Sequence, residues 1–136
     1  MSFLSTLIKK LRAAKYQPPS AITAIDALDL KRRLDTHRDL VVLDVRNADE
    51  YAGPLGHIAG AINFALVDLP ARSSELAPYR GRSIAVVCLS DKRSTQAIQL
   101  LRDAGFSDVL LLRGGMKEWH STGLPVETVP IRPMTD

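Results

Sequence analysis

The sequence predicts an α/β domain in which helices cover both faces of a mostly parallel sheet. Runs at residues 40–45 and 83–87 that are apolar except for Asp44 and Ser83 indicate strands buried on both faces, because a half-exposed strand would alternate with polar residues. An amphipathic helical pattern begins at Ser94 and stops at Gly105, a typical helix terminator. Strands that alternate with helices along a chain favour parallel pairing and a layered architecture.

The remaining elements continue this alternation. Three short strands are predicted, at residues 21–23, 61–64 and 109–112. Further helical segments are predicted from about Asp26, at residues 47–51, and around Met116 and Trp119. The chain from Pro125 onward contains two more prolines, and we expect it to be extended and poorly packed.

Length and composition indicate a single globular domain. The chain has 136 residues, of which 46% are hydrophobic and 24% are charged, as in ordinary globular proteins. No run approaches the roughly 20 apolar residues that a membrane-spanning helix requires. The single cysteine, Cys88, excludes an intramolecular disulfide framework and an all-cysteine metal cage. One thiol suits a reducing compartment, and we expect a cytoplasmic protein.

The basic charge of the chain lies in its first residues. The formal net charge is +3, but residues 1–19 hold four basic side chains and no acid, which leaves residues 20–136 at −1. A near-neutral body with 5% aromatic residues argues against nucleic-acid binding. We interpret residues 1–19 as a basic amphipathic leader with a Pro-Pro linker, residues 20–126 as the domain and residues 127–136 as an extended tail.

The leader has two interpretations. Its apolar residues repeat at helical spacing, so it can form a helix packed on the domain, or remain a mobile tail. Alternatively, residues 1–15 dock on a partner or on an anionic membrane surface. A secretory signal is excluded, because the basic residues are interleaved with the apolar ones instead of preceding them.

Cys88 follows the second buried strand, where α/β domains build their ligand sites. A loop and the start of a helix come next, and their backbone N–H groups carry partial positive charge. Lys92 and Arg93 add two full positive charges, whereas Asp91 opposes them. The positive groups favour the thiolate over the thiol.

Two interpretations of Cys88 remain open on position alone. A buried cysteine often packs as a small apolar residue without any chemical role. A thiolate in a cradle of amides could instead attack sulfur or phosphorus, or carry a persulfide whose charge the amides stabilise. Asp44 and Arg46 end the neighbouring strand and are two residues apart, so both side chains lie on one face, as a fixed ion pair requires.

Three separated groups of residues resemble the motifs of the rhodanese-like domain. The first comprises LDVR at residues 43–46, EY at 50–51, GHI at 56–58, GA at 60–61 and Asn63. The second comprises VVC at residues 86–88 with RS at 93–94. The third comprises GF at residues 105–106, Val109, Leu112, GGM at 114–116 and Trp119. The resemblance runs from about Ile22 to Pro125 and leaves the leader and the tail outside it.

The resemblance implies a three-layer α/β sandwich with about five strands, and sulfurtransferase chemistry. Cys88 would take sulfane sulfur from a small anionic donor such as thiosulfate and pass it as a persulfide to cyanide or to a thiol, including a protein thiol. Asp44 and Arg46 would support the loop from the neighbouring strand end. No metal or organic cofactor is implied, because the persulfide carries the sulfur. The anion cradle would be formed by Leu89, Ser90, Asp91, Lys92, Arg93 and Ser94, with Arg93 and Lys92 assisting donor binding.

The sequence departs from the family pattern at two places. Asp91 stands where the common pattern has glycine; if that backbone needs a positive φ, Asp91 is strained, and its charge weakens turnover of thiosulfate. Residues 52–55 make the first motif two residues longer than its commonest spacing, which a loop bulge accommodates. Four residues separate Cys88 from Arg93, one fewer than in related phosphatases, and this narrower loop favours sulfur over phosphate.

Other polar residues near these motifs receive structural interpretations. We expect His57 to bond to the backbone and not to act as a general base, and Trp119 to pack in the core. Arg113 follows a strand end and either lines the site or stays solvated. The three histidines are scattered and show no metal-ligand spacing, so no metal site is predicted.

The alternative to a free enzyme is a non-catalytic or partner-dependent module that relays sulfur or binds a protein through the basic leader. Deleting residues 1–15 separates the leader from the chemistry. We expect this truncated protein to transfer sulfur from thiosulfate to cyanide at the rate of the full chain. A large loss of turnover would show that the leader belongs to the site.

Overall fold

The computed structural model describes residues 22–36 and 39–129, and its centre is a five-stranded parallel sheet. The predicted leader and the end of the predicted tail, residues 130–136, lie outside the described residues. The sheet order is β1-β5-β4-β2-β3, and every neighbouring pair is parallel. The strands are β1 (Thr23–Ile25), β2 (Val41–Asp44), β3 (Ile62–Asn63), β4 (Ile84–Val87) and β5 (Val109–Leu112).

Helices cover both faces of this sheet and complete the predicted three-layer sandwich. The helices are α1 (Ala27–Thr36), α2 (Ala48–Tyr51), α3 (Leu69–Arg72), α4 (Lys92–Asp103) and α5 (Gly115–Ser121). Buried residues of α1 and α5 share one apolar cluster, and those of α3 and α4 share the other. Two 3-10 segments, Leu66–Asp68 and Ser73–Tyr79, flank α3. No helix among the described residues is long and apolar enough to cross a membrane.

Burial on both faces explains the continuous apolar runs of the central strands. Every residue of β2 and of β4 is buried. Successive side chains point to opposite faces of a strand, so Leu43 and Val86 enter the cluster with α4, whereas Val42 and Val87 enter the cluster with α1 and α5. A polar residue on either face would therefore lie in a core.

The structure corrects two boundaries and adds elements to one segment. The first strand is at Thr23–Ile25, later than residues 21–23, because its partner in the sheet is β5. Helix α4 begins at Lys92 and not at Ser94, since Asp91 is its N-cap and the Asp91 carbonyl accepts the first helical bond, from Thr95 N–H at 3.0 Å. No element was predicted between residues 65 and 82, where short turns interrupted by prolines lack a clear periodicity.

The expectation that the chain after Pro125 is poorly packed is wrong for its first residues. His57 and Glu127 exchange two backbone hydrogen bonds of 2.9 and 2.8 Å as an isolated antiparallel bridge. The indole N–H of Trp119 donates to the Pro125 carbonyl at 2.9 Å, and Val126 packs against the core. Trp119 itself is buried, as predicted.

Two glycines provide a matched test of this packing. Gly56 and Gly60 both have positive φ, at 65° and 80°, so alanine strains either backbone by about 1–2 kcal/mol. A Cβ at Gly56 would lie 2.6 Å from the Glu127 carbonyl oxygen, whereas nothing lies within 4 Å of one at Gly60. We expect Gly56→Ala to lower the free energy of unfolding by about 1–3 kcal/mol more than Gly60→Ala, measured by urea denaturation. Equal losses would mean that residues 126–127 do not pack on this loop.

Candidate active site

Cys88 lies immediately after β4, at the edge of the sheet where the parallel strands end. Its side chain is buried, with 1% exposure. The sulfur accepts a hydrogen bond from the backbone N–H of Ser94, with an N–Sγ distance of 3.4 Å. Ser94 is in the first turn of α4, so the thiol lies at the positive end of a 12-residue helix.

The N-terminus of α5 fixes the orientation of the loop peptides. Met116 N–H donates to the Cys88 carbonyl at 2.8 Å, and Lys117 N–H donates to the Leu89 carbonyl at 3.0 Å. In a planar trans peptide the C=O and the following N–H point in opposite directions. The N–H groups of Leu89 and Ser90 therefore point away from α5. The first N–H groups of α4 also have no partner within their own helix.

Glycine is required where α5 meets the loop. Gly115 has a φ of +57°, and a Cβ there would lie 2.4 Å from the Cys88 carbonyl oxygen and 2.6 Å from that of Ser90. Any side chain would push the loop away and break the contacts of Met116 and Lys117. The GGM motif identified in the sequence is thus explained by a close approach of two backbones.

Asp91 is not strained, contrary to the possibility raised by the missing glycine. Its φ is −135°, a value that any residue adopts. Its carboxylate accepts the Gly114 N–H at 2.8 Å, on the side of the loop that faces α5. Asp91 therefore ties the loop to the same turn that holds the Cys88 and Leu89 carbonyls.

Asp44 and Arg46 form the predicted ion pair, and both are buried at 1% exposure. The Arg46 Nη2–Asp44 Oδ2 distance is 2.7 Å. Arg46 also donates to the Glu50 carbonyl at 3.2 Å and to the Gly56 carbonyl at 2.8 Å. Its contacts thus reach α2 and the following loop, and its support of the Cys88 loop is indirect.

Glu50 connects α2 to the start of α4, next to the Cys88 loop, by pairing with Arg93. The sequence patterns assign Glu50 no role. Its carboxylate accepts two hydrogen bonds from the Arg93 guanidinium, at 2.5 and 2.8 Å. This pairing lowers the pKa of Glu50 to about 2 and raises the pKa of Arg93 above its usual value. A separation of 43 positions follows no spacing rule, so only the opposite charges in two recognised motifs could have suggested the pair.

Ser94, whose backbone N–H binds the Cys88 sulfur, also carries a buried hydroxyl. The residue is 0% exposed, and its Oγ has no hydrogen-bond partner among the described residues. It occupies the buried face of α4 together with Ala97, Ile98 and Leu101. Helical Cα–Cβ bonds tilt toward the N-terminus, which is the end of α4 that Cys88 occupies. A buried unpaired hydroxyl is costly, so it calls for an explanation.

Of the other predicted residues, three lie at the Cys88 loop and two lie outside it. Ser90 and Lys92 are exposed at the rim of the loop, and Leu89 is half-buried. Arg113 is not part of the loop, because its guanidinium pairs with Asp26 at 2.6 Å and both side chains are exposed. His57 is structural, as predicted: its Nδ1 donates to the Tyr51 carbonyl at 3.0 Å, and its ring stacks on Tyr51.

Similarity to known proteins agrees with this geometry. The chain is 34% identical to a sulfurtransferase of Allochromatium vinosum over 77% of its length and 94% of that protein. It is 33% identical to thiosulfate sulfurtransferase 16 of Arabidopsis thaliana, over 85% of the chain and 98% of that protein. A putative sulfur carrier protein of Bacillus subtilis is 31% identical over 74% of the chain, which spans about half (52%) of that protein.

A solved structure shows the same fold. The solution structure of the rhodanese-like domain from an Anabaena sp. protein superposes with a TM-score of 0.70 at 34% identity, covering 88% of each chain. The family model for the rhodanese-like domain matches residues 26–122, from the residue before α1 to the turn after α5. The chain belongs to the rhodanese-like domain family.

Proposed function

We propose that this protein is a sulfurtransferase that carries sulfane sulfur as a persulfide on Cys88. The donor is a small anion such as thiosulfate, and the acceptor is cyanide or a thiol. The observation that carries the proposal is the hydrogen bond from Ser94 N–H to Cys88 Sγ at the N-terminus of α4. A helix N-terminus stabilises negative charge on the thiolate, and equally on the outer sulfur of a persulfide.

Each half of the reaction balances without any other redox partner. The Cys88 thiolate attacks the outer sulfur of thiosulfate, the new S–S bond forms as the old one breaks, and sulfite leaves with its electron pair. The acceptor then attacks the outer sulfur of the persulfide, which returns Cys88 to the thiolate and releases thiocyanate when cyanide is the acceptor. The persulfide itself holds the carried sulfur, so this proposal needs no metal or organic cofactor.

The surrounding groups have distinct roles in this scheme. The N–H groups of residues 89–94 bind the anionic donor before it reacts. They also stabilise the negative charge that develops on the outer sulfur. The buried Ser94 hydroxyl donates a hydrogen bond to that sulfur when it is present. Asp44 and Arg46 hold α2 in place and act as positioning residues. Lys92, exposed at the rim, attracts the anionic donor.

The second candidate is a sulfur-relay module that acts only with a partner protein. It is favoured by the similarity to the putative sulfur carrier protein of Bacillus subtilis. The same Cys88 persulfide would then pass to a protein thiol, with the basic leader as docking element. A cytoplasmic location suits both candidates, since the thiol must remain reduced between cycles.

Intact-mass spectrometry after incubation with thiosulfate tests the persulfide directly. We expect the wild-type protein to gain the mass of one sulfur atom and to lose it when cyanide is added. Cys88→Ala and Cys88→Ser should gain none, because no other thiol is present. A wild-type protein that gains no sulfur from any sulfane donor would contradict the proposal, whereas gain without cyanide turnover would favour the relay.

The hydroxyl of Ser94 is tested by comparing Ser94→Ala with Ser94→Thr. Removing an unpaired buried hydroxyl relieves its desolvation cost, so Ser94→Ala should leave the sulfur-free protein as stable or more stable, by about 1 kcal/mol. The persulfide of the same variant should lose its cyanide-sensitive sulfur faster in buffer, and Ser94→Thr should restore its lifetime. Equal persulfide lifetimes in all three proteins would exclude a contact between the hydroxyl and the outer sulfur.

A further inference from the structure

The positive charge that the sequence places around Cys88 is largely cancelled in the folded site. Lys92 and Arg93 follow the loop, but Arg93 is bound by the Glu50 carboxylate through both of its terminal nitrogens. Asp91 adds a second negative charge. The four side chains together carry no net charge. An anionic donor therefore meets backbone dipoles and the exposed Lys92, and not two free cations.

The Glu50–Arg93 pair is held at both ends. Arg93 belongs to the first turn of α4, which the Ser94 N–H contact ties to Cys88. Glu50 is the last but one residue of α2, where its carbonyl accepts from Arg46 and its Oε1 accepts the Asn47 N–H at 3.1 Å. Each side chain of the pair is 29% exposed. A pair with this geometry has little freedom to open when a small anion arrives.

Both partners stay charged in any ordinary assay. The two hydrogen bonds from Arg93 hold the pKa of Glu50 at about 2, and Glu50 in turn raises the pKa of Arg93. The carboxylate is thus ionised at every pH above about 4. Its negative charge is a permanent feature of the site.

We propose that Glu50 is a specificity-determining residue that, by neutralising Arg93, selects singly charged sulfane donors over doubly charged ones. Backbone amides and a helix N-terminus provide only partial positive charge, equivalent to roughly half an elementary charge for the helix. A second negative charge on the donor finds no free guanidinium and is repelled by Glu50. This inference rests on the proposed sulfur transfer through Cys88.

The structure locates this discrimination at Glu50 and not at Asp91. The sequence singles out Asp91 because it replaces a glycine of the cysteine loop. Its carboxylate, however, is bound to the Gly114 N–H on the α5 side of the loop. Glu50 instead binds Arg93, which follows the loop directly and precedes Ser94, the residue whose N–H binds the Cys88 sulfur. The charge of Glu50 therefore acts on the cation next to the residue that contacts the sulfur.

Two donors of similar shape differ by one unit of charge and provide the test. Thiosulfate is a dianion whose sulfane sulfur passes to Cys88 with release of sulfite. Methanethiosulfonate is a monoanion that transfers the same sulfur: the Cys88 thiolate bonds to it, the S–S bond breaks, and methanesulfinate leaves. In both reactions the charge is conserved and Cys88 becomes the same persulfide. The ratio of kcat/KM for the two donors cancels any general loss of activity.

The experiment measures this ratio in wild type, in Glu50→Gln, in Arg93→Gln and in the double variant. In Glu50→Gln, Arg93 is left with an uncompensated charge, so we expect the ratio of thiosulfate to methanethiosulfonate to rise about tenfold, mainly through the KM of thiosulfate. In Arg93→Gln, Glu50 is left alone and the ratio should fall by a similar factor. The double variant removes both charges and should return to within about twofold of the wild-type ratio.

Glu75→Gln is the matched control. Glu75 pairs with Arg72 at 2.7 Å in an exposed 3-10 segment, so the substitution removes one carboxylate from an ion pair away from Cys88. Its donor ratio should equal that of wild type. Increasing ionic strength should weaken thiosulfate binding more in Glu50→Gln than in wild type or in Glu75→Gln, because only the first has an unpaired Arg93 in addition to the exposed Lys92.

The outcomes separate this inference from the function on which it rests. If Glu50 only stabilises the fold, both donors lose activity alike, the ratio is unchanged in each single variant, and the inference is wrong. Should Glu50→Gln fail to fold, Arg93→Gln alone decides, since an unchanged ratio there contradicts the account equally. A wild-type protein that takes sulfur from neither donor overturns the proposed sulfur transfer itself.

Discussion

The carbonyl groups of Cys88 and Leu89 accept hydrogen bonds from the first amides of α5, and the chemistry of the loop depends on this contact. Because those carbonyls face α5, the N–H groups of the same peptides face the opposite side. Gly115 allows the two backbones to approach, and the Asp91 carboxylate closes the arrangement by binding Gly114 N–H. Without α5, the loop could turn a carbonyl oxygen toward the Cys88 thiolate, and these two negative groups would repel each other.

A second set of contacts joins the neighbouring strand to the same loop. The buried Asp44–Arg46 pair binds the backbone of α2, and Glu50 of α2 binds Arg93 of α4. Buried ion pairs contribute little net stability, because desolvation offsets their attraction. Their value here is registry: each partner has fixed hydrogen bonds, so α2 can occupy one position. That position brings the Glu50 carboxylate to the Arg93 guanidinium. The net charge near the thiol therefore depends on where α2 packs.

Much of this arrangement could be predicted from local patterns. Apolar runs locate β2 and β4, so the ends of these strands place Cys88 and the Asp44–Arg46 pair at one sheet edge. The strand period of two also predicts that Asp44 and Arg46 meet. What the patterns omit is long-range: the Glu50–Arg93 pair, the contact of Gly115 with the loop, and the packing of residues 125–127. Such contacts depend on how whole elements stack, and no spacing along the chain encodes them.

The amide cradle proposed around Cys88 can be observed residue by residue. Backbone ¹H–¹⁵N spectra of the protein, recorded before and after incubation with thiosulfate, would report which amides bind the outer sulfur of the proposed persulfide. We expect the largest shifts at residues 89–94, whereas Met116 and Lys117 should change little because their bonds to the loop carbonyls persist. Shifts of equal size in α5, or none at residues 89–94, would contradict it.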